Sequence, residues 1–99
     1  MNINTYLASQ HAANKARFAK RIFCADGFSL SVQASRSHYC VPREDVGPWS
    51  SVEVGFPSQR EEALMPYIDM PEANPTQTVY GYVPVEVVEA LIAEHGGMA

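Results

Sequence analysis

This sequence contains little cysteine, no long apolar run and no chemical signature motif. Its 99 residues include two cysteines, and no stretch approaches the ~20 consecutive apolar residues that cross a bilayer. The N-terminus has no basic region followed by an apolar core, so we predict no signal peptide. A cytoplasmic protein without membrane contacts is expected, and in that compartment Cys24 and Cys40 stay reduced rather than forming a disulfide.

Motifs of nucleotide binding and hydrolysis are missing as well. The sequence has no glycine-rich phosphate loop, no Gly-x-Ser-x-Gly elbow and no dinucleotide-binding fingerprint. Cys24, His38 and Cys40 have none of the spacings typical of metal sites. Catalysis by Cys40 needs a base within hydrogen-bond reach and a lowered thiol pKa, and no spacing in the sequence establishes either. We therefore predict a non-enzymatic protein without a metal or cofactor; a cysteine-dependent enzyme is the least favoured alternative.

Charge is present but segregated along the chain. Residues 1–43 carry six basic side chains and one acid, a net +5, whereas residues 44–99 carry ten acids and one base, a net −9. The overall charge of −4 therefore conceals a polarised chain, and a polarised surface bears on how a protein meets its partners. With 46% apolar residues and no internal repeat, residues 1–99 are predicted to fold as one domain.

An amphipathic helix is predicted from Thr5 to about Cys24. Asn4 or Thr5 can cap its first turn, and neither Pro nor Gly interrupts the segment. Alanines and large apolar side chains share one half of this helix, which favours close packing on a sheet. The other half carries a basic stripe that consists of Arg17, Lys20 and Arg21.

Three segments alternate apolar and polar residues with the period of two that is typical of half-buried strands. They are residues 28–35, 51–56 and 78–83. The first two are expected to pair as an antiparallel hairpin across a long connection. In the predicted registers Phe56 points inward, whereas Tyr80 and Tyr82 point outward.

Two further helices are predicted in the second half of the chain. A short one starts where Ser58 and Glu61 stand at capping-box spacing, and it ends or kinks at Pro66. The last one opens at Pro84, buries a face of valine, leucine and isoleucine, and stops at a pair of glycines. The predicted fold class is α+β in chain order α-β-β-α-β-α. We expect a small, mainly antiparallel three-stranded sheet with two long helices on one face.

Three kinds of surface are candidates for binding a partner. The polar outer sheet face carries Tyr80 and Tyr82, and tyrosine combines contact area with a hydrogen bond at interfaces. The alternative is that the short helix around Leu64 and Tyr67 covers this face. Trp49, beside a Gly-Pro turn, is either an anchor for a partner or a plug between loop and core. The charged candidates are the acidic Glu86, Glu89 and Glu94 of the last helix, and the basic Arg17 and Arg21.

Five short segments of the sequence resemble short uncharacterised proteins encoded by bacteriophages and prophages. They are GFSLSVQAS (27–35), HYC (38–40), VEVGFPS (52–58), TVYGYVP (78–84) and HGG (95–97). The resemblance covers about residues 27–97 and implies no catalytic residues. It does imply a context, because small phage accessory proteins often act by binding a host protein stoichiometrically. Inhibitors of bacterial defence, such as anti-CRISPR proteins, are one class of these.

We therefore predict a non-enzymatic protein-binding module, encoded by a phage and acting in the host cytoplasm. Its expected partner is a bacterial protein or nucleoprotein complex with lysine- and arginine-rich channels, which the acidic helix face could occupy. The first alternative is a small nucleic-acid-binding regulator that uses Arg17, Lys20, Arg21 and Arg36. Direct nucleic-acid binding is disfavoured because the domain is net acidic. Homodimerisation is compatible with each interpretation.

Overall fold

An antiparallel sheet organises the fold in a computed structural model that describes residues 1–14 and 18–99. Its strands follow one another across the sheet in chain order. They are β1 (Ile22–Phe23), β2 (Ser29–Gln33), β3 (Ser51–Gly55) and β4 (Val79–Pro84). The α+β class is confirmed. The sheet has four strands rather than the predicted three, because residues 22–23 pair with β2 instead of continuing a helix.

The first helix, α1, is shorter than predicted and runs over Ile3–Ala13. Its cap is Asn2, whose side chain accepts a hydrogen bond from the Thr5 amide at 3.0 Å. The helix ends at Asn14, whose backbone is extended. The predicted boundary near residue 24 is therefore wrong, since residues with adequate helix propensity are drawn into other contacts.

Those contacts fold the chain back along α1. The Gln10 amide oxygen accepts from the Lys20 amide at 2.9 Å, and the Tyr6 hydroxyl donates to the Lys20 carbonyl at 2.8 Å. Strand β1 follows, with Ile22 opposite Leu30. The predicted break at residues 26–27 is present, but it is the turn of a β1–β2 hairpin and not a helix end.

Strands β2 and β3 form the predicted hairpin. Val32 lies opposite Val54, while Gln33 lies opposite Glu53 on the other face. Because successive side chains alternate between faces, the first pair marks the core face and the second marks what we call the outer face. The predicted inward position of Phe56 is wrong: this residue follows β3 with a positive φ of 49°, and it is 49% exposed.

A β-bulge interrupts the pairing of β3 with β4. Val54 lies opposite Tyr80 and Val52 lies opposite Val83, so Gly81 and Tyr82 share the single partner Glu53. Tyr80 therefore falls on the core face and is fully buried. The prediction that Tyr80 and Tyr82 share the outer face is wrong, since the extra residue changes the alternation between them.

A 3-10 helix spans Glu62–Tyr67 and replaces the predicted short α-helix. The expected capping box does not form, because the Ser58 hydroxyl accepts instead from the Ser29 amide at 3.0 Å. Pro66 lies inside the 3-10 helix and does not end it. Leu64 is fully buried in the core, and Ile68 bridges to β4, so this element lies at the β4 edge of the sheet and does not cover the exposed Tyr82.

The last helix, α2, spans Val85–Glu94 directly after Pro84 and buries its predicted apolar face. It ends at His95, and Gly96 and Gly97 follow with positive φ values of 88° and 85°. Residues of both helices enter one core with the sheet: Ile3 and Leu7 of α1, and Val88, Leu91 and Ile92 of α2. Within residues 1–14 and 18–99, no helix is long and apolar enough to cross a membrane.

Candidate functional site

The β2 side of the outer face is covered by the chain segment that precedes β1. The Gln33 amide oxygen accepts from the Ala19 N–H at 2.8 Å, and the Gln33 amide nitrogen donates to the Ala19 carbonyl at 2.7 Å. Gln33 and Ser29 are consequently 4% and 6% exposed. We call this region the closed half of the outer face, defined by Ala19, Arg21, Ser29 and Gln33.

Arg21 belongs to the closed half and not to a helical basic stripe. Its Nε donates to the Ser29 hydroxyl at 2.9 Å, and its Nη2 donates to the Ser29 and Phe56 carbonyls. Lys20 is exposed but also lies outside α1, while Arg17 lies outside the described residues. Arg36 is paired with Asp45 at 3.5 Å. Lys20 and Arg21 therefore do not lie on α1, the helix on which the nucleic-acid interface was predicted.

The β4 side of the outer face carries exposed aromatic rings. Tyr82, at the bulge, is 48% exposed and has a positive φ of 56°, while Tyr39 of the β2–β3 connection is 37% exposed. Their ring centroids lie 5.9 Å apart and their planes are tilted by 37°. We call Tyr39, Tyr67 and Tyr82 the aromatic surface.

Backbone and side-chain contacts dock Tyr39 onto the bulge. The Tyr39 amide donates to Glu53 Oε1 at 3.1 Å, and the Tyr82 amide donates to the Tyr39 carbonyl at 3.1 Å. A Cβ at Gly81 would lie 3.2 Å from the Tyr39 Cβ, which is why this strand position has no side chain. Only Tyr82 of this group was predicted; the signals for Tyr39 are its tyrosine side chain and the glycine at position 81.

A cavity of about 310 Å³ opens within the aromatic surface. The three tyrosines, Ile68, Gly81 and the exposed carboxylate residue Asp69 line it. Arg43 also approaches the Tyr39 ring, and its guanidinium carbon lies 5.4 Å from the ring centroid. The arrangement places aromatic faces and one acidic group around a space open to solvent.

The other predicted aromatic site residues are structural. Tyr80 donates its hydroxyl to the Pro75 carbonyl at 2.5 Å, and burial raises the pKa of this phenol. Trp49 is 3% exposed and donates its indole N–H to the Glu44 carbonyl at 3.2 Å. Its backbone exchanges two hydrogen bonds with the Asn4 side chain of α1. Of the two alternatives for Trp49, the plug between loop and core is the one observed.

The predicted acidic face is partly used inside the molecule. Glu86 and Glu94 are exposed, but Glu89 accepts a hydrogen bond from the Ile3 amide at 2.9 Å. A carboxylate at a helix N-terminus interacts favourably with the helix dipole, so Glu89 fastens α1 to α2. Glu61 is bound to His95, and Glu62 is paired with Arg60 at 2.8 Å.

His95, at the C-terminal end of α2, lies between two carboxylates. His95 Nδ1 lies 2.5 Å from Asp26 Oδ2 and Nε2 lies 2.6 Å from Glu61 Oε1, and the ring stacks on Phe28 at 4.1 Å. The hydrogen bond to Asp26 raises the pKa of His95. The pKa of Asp26 is lowered, first by the Phe28 amide and then by His95. Because both ring nitrogens are occupied, this histidine is not available as a catalytic base.

Cys40 lacks the setting of a nucleophile. It is 1% exposed, its thiol donates to the Ser35 carbonyl at 3.2 Å, and burial raises its pKa. His38 Nδ1 is bonded to the Ser35 hydroxyl at 2.7 Å. Among the residues that the structure describes, no three histidine, cysteine or acidic side chains gather into a metal site.

Comparison of the chain with protein-family models, curated proteins and solved structures finds no match in any of the three. The resemblance to bacteriophage accessory proteins therefore stays a prediction. Function is inferred from the chain's own geometry, in which the aromatic surface brings two exposed tyrosine rings together beside a cavity.

Proposed function

We propose that the protein is a non-enzymatic binding module and that its aromatic surface contacts a partner protein. The observation that supports this is the backbone of Tyr82, a bulky residue held at a φ of 56° while its ring is half exposed. The left-handed conformation costs a residue with a Cβ roughly 1–2 kcal/mol. Glycine or asparagine would avoid most of that cost. Phe56 has the same backbone conformation, but only the Tyr82 ring lies beside Tyr39, at 5.9 Å, and this pairing of two exposed rings points to a use for the Tyr82 ring.

The composition of the surface suits protein recognition. Tyrosine and arginine are enriched at interfaces, where they supply large contact areas together with hydrogen bonds. Tyr39, Tyr82 and Arg43 are adjacent, and Tyr39 is fixed by the Glu53 and Tyr82 hydrogen bonds described above. A fixed surface loses little conformational freedom on binding, which favours affinity.

The proposed partner is a bacterial protein, within a complex that handles nucleic acid. A net charge of −4 complements the basic channels of such complexes, and complementary charge speeds and orients association. A phage-encoded inhibitor of bacterial defence fits this description. Of the acids predicted to make the contact, Glu86 and Glu94 remain exposed for that role.

Parallel capture from bacterial lysate tests the proposal, with wild type, Tyr82→Asn and Phe56→Asn as baits. Phe56 is a matched control, because it too is an aromatic residue at positive φ and is 49% exposed, but it follows β3 and is not part of the aromatic surface. We expect a stoichiometric partner with wild type and Phe56→Asn, and its loss with Tyr82→Asn.

Two results would contradict the proposal. One is equal retention of the partner by Tyr82→Asn, which would place the contact elsewhere. The other is equal loss with both variants while each remains folded by circular dichroism, which would indicate a nonspecific apolar effect.

A further inference from the structure

The cavity within the aromatic surface has the size of a site for one side chain. Its volume of about 310 Å³ is at the lower end of ordinary ligand pockets, which span roughly 300–1,000 Å³. Tyr39, Tyr67 and Tyr82 line it with aromatic rings from three separate elements, the β2–β3 connection, the 3-10 helix and β4. Such a group of rings offers several π faces to one inserted group.

The charges around the cavity favour a cation. Aromatic faces attract cations through the ring quadrupole, and Asp69 adds a carboxylate at the cavity wall. Glu53 supplies a second carboxylate close by, at the Tyr39 amide. Arg43 lies over the Tyr39 ring, with its guanidinium carbon 5.4 Å from the ring centroid, and this contact is an example within the chain of the cation–π geometry that a bound guanidinium would use.

The geometry points to an arginine side chain of the partner protein as the occupant of this cavity. The inference rests on the proposed function and names the group that the aromatic surface recognises. A guanidinium is planar and more weakly hydrated than an ammonium, so it stacks on rings at a lower desolvation cost. It also pairs with a carboxylate through two parallel hydrogen bonds, which Asp69 can accept.

An NMR titration of the intact chain tests this, with N-acetyl-arginine amide as the probe and N-acetyl-citrulline amide as its neutral counterpart. We expect saturable shifts at the Gly81, Tyr82 and Asp69 amides with the arginine compound. The citrulline compound should bind at least about tenfold more weakly, because it lacks the charge that the rings and Asp69 attract.

Two variants locate the site. Tyr82→Leu should abolish the arginine response, and Asp69→Asn should weaken it about two- to fivefold, the range of an exposed ion pair. Glu86→Gln is the matched control, since it also removes an exposed carboxylate, and it should leave the titration unchanged.

Three outcomes would overturn the inference: absence of saturable shifts, an equal response to citrulline, or equal binding of N-acetyl-lysine amide. None of these outcomes tests the proposed function, which the capture experiment tests separately. Conversely, if Tyr82→Asn and Phe56→Asn both retain the partner, the proposed function is refuted even where the arginine probe binds.

Discussion

The two sides of the outer sheet face differ in how far their side chains are hydrogen-bonded and exposed. In the closed half, the polar side chains of Gln33 and Ser29 are hydrogen-bonded to the segment before β1 and are almost inaccessible. In the aromatic surface, the rings of Tyr39 and Tyr82 remain exposed, and the backbone beneath one of them is strained. The first arrangement stabilises the fold, whereas the strained backbone of the second has a cost in stability.

The largest expected effect comes from Gln33→Leu, which removes both bonds to the Ala19 backbone. A buried N–H and a buried C=O then lose their partners, and each such loss costs about 1–3 kcal/mol. We expect the free energy of unfolding to fall by about 2–4 kcal/mol in urea denaturation.

Ser31→Ala is the control for that variant. The Ser31 hydroxyl accepts from the same Gln33 amide at 3.0 Å, but its removal leaves the Ala19 contacts in place. Its cost should stay below about 1 kcal/mol. Equal effects of the two variants would show that the closed half does not depend on the Ala19 bonds.

A smaller effect is expected for Arg21→Gln, also in the closed half. This change removes the guanidinium bonds to Ser29 and Phe56, which are partly exposed to solvent. The expected loss is about 1 kcal/mol of unfolding free energy. Lys20→Gln, next to it but exposed and with its side chain outside these contacts, should change stability by less than about 0.5 kcal/mol.

Tyr82→Asn should behave in the opposite way to the closed-half variants. Relief of the left-handed backbone is worth roughly 1–2 kcal/mol, while loss of the ring contact with Tyr39 costs about 0.5–1.5 kcal/mol. We therefore expect unchanged stability or a gain of up to about 1 kcal/mol. Tyr82→Phe keeps the ring and should match wild type. A loss above about 1 kcal/mol in Tyr82→Asn would mean that the ring supports the fold.

Local patterns sufficed to predict much of this fold. Strands β2, β3 and β4 were predicted from their period of two, and α2 from its apolar face, the proline before it and the glycines after it. These signals are local, and in β2, β3 and α2 they agree with the packing of the element in the core, whereas in β4 the bulge puts Tyr80 on the core face. The extent of α1 was missed because pairing of Ile22–Phe23 with β2 overrides helix propensity.

The candidate site was harder to predict because it depends on contacts between distant residues. The bulge that separates Tyr80 from Tyr82 forms where Tyr39, about 40 residues earlier, docks against Gly81. The closed half likewise depends on Gln33 meeting Ala19. Neither pairing leaves a periodic signal in the sequence, and the same is true of the contacts between His95, Asp26 and Glu61.

The smallest and most gradual effect is a pH dependence confined to the closed-half side of the sheet. Asp26 lies in the β1–β2 turn, and its backbone N–H also donates to the His95 carbonyl at 3.2 Å, so protonated His95 holds that turn to the end of α2. The pKa of His95 is raised above its ordinary 6.5, so its stabilisation is complete below that value and is lost as pH rises through the raised pKa. The pKa of Asp26 is lowered below 3.8, so its contribution is present above that value and is lost in stronger acid.

Stability should therefore decline as the pH rises above about 6.5 in the wild type and decline less in His95→Gln, as followed by urea denaturation at each pH. His38→Gln is the contrasting control. Burial lowers the pKa of His38, so this residue contributes the opposite slope and does so below pH 6.5, and its replacement should leave the decline above that pH unchanged. Hydrogen exchange, corrected for intrinsic rates, should show reduced protection of the Cys24 amide at high pH and unchanged protection of the Tyr82 amide. An identical pH profile in His95→Gln and wild type would show that His95 does not stabilise the β1–β2 turn. Equal loss of protection at Tyr82 would show that the two sides of the outer face open together.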